Sequence, residues 1–181
     1  MIHTPLPTVL VLASGRGERF RASGGQGHKL DALLAGKPVL QHVLDAARAS
    51  GLPWHLERAQ HAGLGDCIAA AVAATPDAAG WLMVLGDLPL VQPRTLRAVA
   101  QALQQHDVVV PVVNGQRGHP VGFSRRCHDE LLTLNGDIGA AAVVRARGAL
   151  ELPVDDQGCV TDVDTVQALA EAERLFHVQK N

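Results

Sequence analysis

The sequence predicts an α/β protein with a mainly parallel sheet and helices on both of its faces. Three observations carry this. Short apolar runs recur along the 181 residues. Between them lie segments of roughly 10–13 residues in which apolar side chains return at helical spacing. One run, Trp81-Leu82-Met83-Val84-Leu85, shows no polar alternation, as a strand buried on both faces requires. Alternation of the two patterns points to crossover units, and hence to parallel strands.

Each element has its own signal. Thr8–Leu12 is apolar after its first residue and reads as the first strand. Lys37-Pro38 starts a helix, with Val39, Leu40, Val43, Leu44 and Ala47 on one face and Gly51 as its stop. Trp54–Arg58 is a short second strand. Asp66–Ala74 is a helix with Ile68, Ala69 and Val72 as its apolar face. Trp81–Leu85 is a strand ended by Gly86. Pro93–Gln105 is a helix that gathers Leu96, Val99, Ala100 and Leu103 on one side. Asp107–Val113 and Val121–Ser124 read as strands, Cys127–Leu134 and Asp137–Ala146 as helices, Leu150–Val154 as a strand and Thr165–His177 as the last helix. Arg21–Gln26 is rich in Gly and is expected to be mobile; Asn114–Gly118 is a polar turn. No repeat or low-complexity linker divides the chain, so residues 1–181 are expected to form one domain.

Composition narrows the function. A formal net charge of -2 carries no basic field for nucleic acid. Three Phe, two Trp and no Tyr leave little for base stacking on an RNA surface. Cys67, Cys127 and Cys159 are far apart and lack zinc spacing. A reduced, cytoplasmic setting fits them. The N-terminal segment lacks a basic region followed by an apolar one, so no signal peptide is read there. Residues 8–13 are too few to span a bilayer, so no membrane role is expected.

In a parallel sheet, ligands bind beyond the carboxyl ends of the strands. There the chain offers Ser14–Lys29, Gly86-Asp87-Leu88-Pro89, Asn114–His119 and Asp162–Asp164. The first is a glycine-rich loop with Arg16, Arg19 and Lys29. Its backbone N–H groups suit phosphate oxygens, and its cations suit their charge; an ordinary βα turn with solvated arginines is the alternative. It lacks the Gly-Lys-Ser/Thr of a P-loop and the third glycine of a dinucleotide fingerprint. Asp87 follows a buried strand in a Gly-Asp-x-Pro turn. It is placed to hold Mg²⁺, which takes one or two carboxylates plus substrate phosphate oxygens, or else to cap its turn. Asp162 and Asp164 precede the last helix. One can complete a metal site while the other caps the helix. His42 and His106 read as packing or surface groups. His119, between Gly118 and Pro120, reads either as a ligand contact or as a turn residue.

Taken in order, Leu12-Ala13-Ser14-Gly15-Arg16-Gly17-x-Arg19-Phe20 with Lys29, Gly86-Asp87-Leu88-Pro89-Leu90-Val91, Gly115-Gln116-Arg117-Gly118-His119-Pro120-Val121, Gly136-Asp137-x-Gly139-Ala140 and Asp162-x-Asp164-Thr165 resemble the MobA-like nucleotidyltransferases. The Gly-x-Arg-Gly-His-Pro stretch is similar to that of the molybdenum cofactor cytidylyltransferases, the MocA-like branch. The resemblance implies a three-layer α/β/α Rossmann-like nucleotidyltransferase fold. It places Leu12, Ala13, Ser14, Gly15, Gly17, Cys67 and Gly86 at the nucleotide, and Arg16, Arg19, Lys29 and Asp87 at the chemistry. It assigns Mg²⁺ to Asp87 with Asp162 or Asp164, and turns Arg117, Gly118, His119 and Asp137 toward the acceptor. The implied reaction moves CMP from CTP to molybdopterin or its molybdenum form and releases pyrophosphate. A molybdoenzyme or its maturation chaperone would be the downstream partner. A GTP-using or other-acceptor transferase, and a non-catalytic molybdenum-cofactor delivery chaperone, are the alternatives. Three positions depart from the family pattern: Ser14 where Ala or Gly is common, His28 where an aspartate often precedes the lysine, and Cys67 where a serine is usual. Cys67 is equally read as a small apolar residue at a helix start.

Overall fold

The computed structural model describes residues 5–179. Met1–Thr4, part of the segment without a signal-peptide pattern, and residues 180–181 lie outside them. The strands are β1 (Thr8–Leu12), β2 (Leu33–Leu34), β3 (Lys37–Pro38), β4 (Trp54–Glu57), β5 (Gly80–Leu85), β6 (Val108–Val113), β7 (Gln116–Arg117), β8 (Val121–Ser124) and β9 (Leu150–Pro153). The helices are α1 (Glu18–Ala22), α2 (Val39–Ala49), α3 (Leu64–Ala73), α4 (Pro93–Ala102), α5 (His128–Leu132), α6 (Ala141–Arg147) and α7 (Val166–Gln179). None of these helices is long and apolar enough to cross a membrane.

The central sheet runs β4-β1-β5-β8-β6, and β6 also pairs with β7 and β9. Strands β4, β1 and β5 are parallel. β8 is antiparallel to both β5 and β6, so β6 points the same way as β5. β9 continues in that direction on the other edge of β6. The sheet is therefore mainly parallel, with β7 and β8 reversed.

Two apolar clusters cover its faces, and strand alternation creates them. On β1, Val9 and Val11 enter one cluster with α2 and α4 residues such as Val43 and Leu96. Leu10 and Leu12 enter the other, with Ile68 and Val72 of α3, Leu131 of α5 and Val143 of α6. This period of two gives the expected three-layer α/β/α arrangement.

The differences from the sequence reading have local causes. The β2–β3 hairpin was not expected. Its turn residues Ala35 and Gly36 have φ of 49° and 78°, a two-residue turn in which Ala replaces the usual Asn or Asp. The Asn114–Gly118 turn holds a second hairpin: Asn114 and Gly115 have φ of 50° and 82° and bring β7 onto β6. Helix α3 starts at Leu64 rather than Asp66. The Gly65 N–H bonds Gly136 O at 2.8 Å, and Asp66 Oδ2 accepts the Gly136 N–H at 2.9 Å, so the turn around Gly136 fixes the helix start. For the same reason α6 begins at Ala141 rather than Asp137. Gly25, in the stretch expected to be mobile, donates to Phe20 O at 3.0 Å, and a Cβ there would lie 2.2 Å from the Phe20 ring.

A strap after β9 crosses the strand ends. Asp156, only 1% exposed, anchors it. Its carboxylate accepts from Gln92 N (3.0 Å), Thr95 Oγ1 (2.6 Å) and Gly158 N (3.0 Å), fixing the strap to the start of α4. A Cβ on Gly158 would lie 2.1 Å from the Leu90 backbone, so only glycine permits this approach. Farther along, the Val163 N–H bonds Asp87 O at 2.9 Å. Asp156→Ala strands three donors and should cost about 3 kcal/mol. Thermal denaturation would show this as a fall in Tm on the order of 10 °C.

Candidate active site

The loop between β1 and Lys29 is anchored at several points. The buried Phe20 roots α1 in the core, and Gly17 enters α1 at φ 65°. His28 ties the two ends of the loop together. Its Nδ1 accepts the Leu30 N–H at 3.2 Å, so Nε2 carries the proton and donates to Gly15 O at 2.6 Å. Arg21 also donates to Arg16 O at 2.8 Å. Arg16 and Arg19 stay exposed at the rim.

Asp87 follows β5 beside this loop. The Gly86 N–H bonds Leu12 O at 2.9 Å, and a Cβ on Gly86 would lie 3.2 Å from Ala13 Cβ. That close approach holds the two strand ends together. The strap then delivers Asp162 and Asp164. Lys29 Nζ lies 2.5 Å from Asp87 Oδ2 and also bonds Asp164 Oδ1. Arg19 pairs with Asp164 Oδ2 at 2.6 Å.

The electrostatics follow from this packing. Burial works against the Lys29 ammonium, but the charges of Asp87 and Asp164 outweigh it, so its pKa lies above the usual lysine value. Burial also opposes the Asp164 carboxylate, and Lys29 and Arg19 reverse this and hold it below the usual range. Burial and the neighbouring carboxylates Asp164 and Asp87 push Asp162 up.

Three carboxylates face two cations, leaving one unit of negative charge. Asp87, Asp162 and Asp164 each bring one oxygen within 4.8 Å of the others. Asp87 Oδ1 is buried and has no hydrogen-bond partner among the described residues. An orphaned, ionisable oxygen in such a cluster fits a hard divalent cation, which takes oxygen ligands.

These groups line one cleft of about 780 Å³. Leu12, Ala13, Ser14, Gly15, Arg16, Gly17, Arg19, Lys29, Gly86, Asp87, Asp162 and Asp164 all reach it, as the sequence led us to expect. Asp137 lines this cleft rather than the neighbouring one. Cys67 does not line it: the residue is 0% exposed and packs in the core with Leu10 and Leu12, and burial raises its thiol pKa. A second cavity of about 440 Å³ holds Arg117, Gly118 and His119 beside Met83, Val110 and Phe123. The two cavities share Leu12, Leu64 and Leu85 as a wall. Burial lowers the His119 pKa, and the nearby Asp87 partly opposes this.

Sequence reasoning missed one group. Glu57 ends β4 and accepts from His61 Nε2 at 2.9 Å, and His61 lines the main cleft. Nothing in the spacing of residues 57 and 61 marked them, because strand β4 gives way to a loop between them.

A glycine loop that faces a carboxylate cluster across the strand ends lies where α/β sheets place their ligands. Comparison with known proteins makes this specific. The chain belongs to the MobA-like NTP transferase domain family, whose model matches residues 9–152. It is 30% identical over 191 residues to the bifunctional protein GlmU of Stenotrophomonas maltophilia, covering 92% of this chain and 38% of that protein. The chain thus spans well under half the length of the curated relatives it matches. Among solved structures, Rv0371c of Mycobacterium tuberculosis superposes with a TM-score of 0.78 at 27% identity, covering 94% of this chain and 99% of that one. Its complex with manganese gives 0.73 at 25%, covering 94% and 98%. The molybdopterin-guanine dinucleotide biosynthesis protein A of Archaeoglobus fulgidus shares the fold, with a TM-score of 0.69 at 18% identity over 94% of this chain and 98% of that one.

Removing the Lys29 ammonium tests the cluster. Lys29→Met should lower stability at pH 7 by about 3 kcal/mol, because it leaves the buried Asp87 carboxylate unpaired. The depressed Asp164 carboxyl stabilises the fold above the ordinary carboxylate range and loses that effect as pH falls from there through its lowered folded value. The deficit of the variant should therefore shrink as pH falls below the ordinary range. Denaturant midpoints at pH 7 and pH 3 would show it.

Proposed function

We propose that this protein is a Mg²⁺-dependent nucleotidyltransferase that moves CMP from CTP to a molybdopterin-type acceptor and releases pyrophosphate. The observation that carries this reading is the orphaned Asp87 Oδ1 in a carboxylate cluster beneath a cationic glycine loop. Asp87, with Asp162 or Asp164, would hold the ion. When bound, the ion supplies Lewis-acid charge that binds and polarises phosphate oxygens.

The remaining work falls to the chain itself. The Gly15–Gly17 loop and the rim residues Arg16 and Arg19 hold the triphosphate. Lys29 counters charge that grows on the departing pyrophosphate. The acceptor, a phosphate monoester, is already a nucleophile. One of its oxygens attacks the α-phosphorus, a new P–O bond forms, and the bond to pyrophosphate breaks. No side-chain nucleophile is required, so positioning supplies most of the rate. The second cavity shares a wall with the main cleft and presents Arg117, Gly118 and His119, which suits it to the acceptor. Choice of CTP rests on the resemblance of Gly115–Pro120 to the cytidylyltransferase branch. The three unpaired, buried thiols support a cytoplasmic setting.

Two observations support transfer over a purely delivering role. Cys67, a departure from the family pattern, lies in the core rather than in the cleft. His28, another departure, braces the loop through neutral hydrogen bonds.

The test is pyrophosphate release from CTP, GTP, ATP and UTP in turn, with molybdopterin and with or without Mg²⁺. CTP should give the fastest release, and only with metal. Asp87→Ala should reduce turnover by about 10³-fold or more, a loss on the order of 4 kcal/mol of transition-state stabilisation. Turnover by the Asp87→Ala variant at the wild-type rate would refute the metal assignment, and equal use of all four nucleotides would refute the choice of cytidine.

A further inference from the structure

The reading of the main cleft as a nucleotide site leaves open which residue distinguishes one base from another, and the geometry gives an answer. In the sheet, β4 and β5 flank β1 on opposite sides. Two strand spacings, about 10 Å, therefore separate the end of β5, where Asp87 stands, from the end of β4. A nucleotide whose phosphates sit at Lys29 and the carboxylates lies across the end of β1. Its base falls over the segment that follows β4, where His61 and Gly63 line the cleft.

That segment is anchored at its far end. A Cβ on Gly63 would lie 2.2 Å from the Gly136 carbonyl, and the next turn is bonded to Gly136 through Gly65 and Asp66. His61 is held in turn by Glu57, a carboxylate only 9% exposed. Glu57 accepts from His61 Nε2 at 2.9 Å, from the Ala59 N–H at 3.2 Å, and faces His55 Nε2 at 3.4 Å. Burial opposes its charge, yet His61, His55 and Ala59 hold its carboxyl below the usual range. An ionised carboxylate can only accept, so it takes the Nε2 proton of His61. In the neutral tautomer that this bond selects, Nδ1 carries a lone pair, and it bonds no other described residue.

We propose that the Glu57–His61 pair reads the base and selects an amino-bearing pyrimidine over its oxo counterpart. Cytosine donates its 4-amino proton to Nδ1. Uracil would set the lone pairs of its 4-oxo group against the Nδ1 lone pair. His61 is the contact residue, and Glu57 is a positioning residue that fixes its tautomer. This inference rests on the nucleotide reading of the cleft.

Calorimetric binding of CTP and UTP with Mg²⁺ at pH 8 tests it. The wild-type protein should prefer CTP by about tenfold, the worth of one good hydrogen bond. His61→Phe keeps the ring volume and should bring the CTP-to-UTP ratio close to one, mainly by weakening CTP. Glu57→Gln should reduce the ratio in the same direction. A general structural defect would weaken both nucleotides and leave their ratio alone. Equal binding of CTP and UTP by the wild type, or an unchanged ratio in His61→Phe, overturns the inference and leaves the transferase reading standing. Wild-type protein that binds neither nucleotide overturns both.

Discussion

The ammonium group of Lys29 sits among carboxylates from Asp87 and Asp164, which lie 58 and 135 residues away in the chain. Without it, the buried Asp87 would face Asp164 with no cation of its own, and it could stay ionised only at a cost. With it, the loop after β1, the turn after β5 and the strap after β9 are held to one point. Each needs the others. The loop places the lysine, the close approach at Gly86 places Asp87, and the Asp156 anchor places the strap that carries Asp164. The ion pair joins what the sheet brings near.

The sheet itself supplies the distances. Parallel strands β4, β1 and β5 end side by side, so three successive loops open onto one cleft. The reversed strand β8 then shifts the character of the surface. Beyond it the second cavity is walled by Met83, Val110 and Phe123 and edged by Arg117 and His119. One half of the site is charged and the other largely apolar. The proposed transfer of a nucleotide to an organic acceptor would use both.

Much of this was legible in the sequence. The buried run Trp81–Leu85 and the helical spacing in residues 39–47 and 96–103 announced the layers, because periodicity is set by which face must leave water. The sequence singled out Lys29, Asp87, Asp162 and Asp164 from their positions after apolar runs, and the structure brings these four side chains together. Less legible were the elements that depend on single backbone angles. Ala35-Gly36 forms a hairpin turn although alanine seldom takes positive φ, and the five-residue α1 is too short to show a period. Asn114-Gly115 did carry a hairpin signal within the predicted polar turn. Cys67 was placed at the nucleotide by resemblance, yet it is fully buried beside β1, where its thiol meets Ser14 from within the core.

The sequence by itself determined the layers and the inventory of charged groups, since burial periodicity and strand-end glycines are local properties. The tertiary structure alone decided partnership. It made His28 a staple across its loop, moved Asp137 to the main cleft, joined Glu57 to His61, and left Asp87 Oδ1 without a partner among the described residues. These depend on contacts between segments far apart in the chain, and a hydrogen bond is made or missed over a few tenths of an ångström, which no spacing along a sequence records.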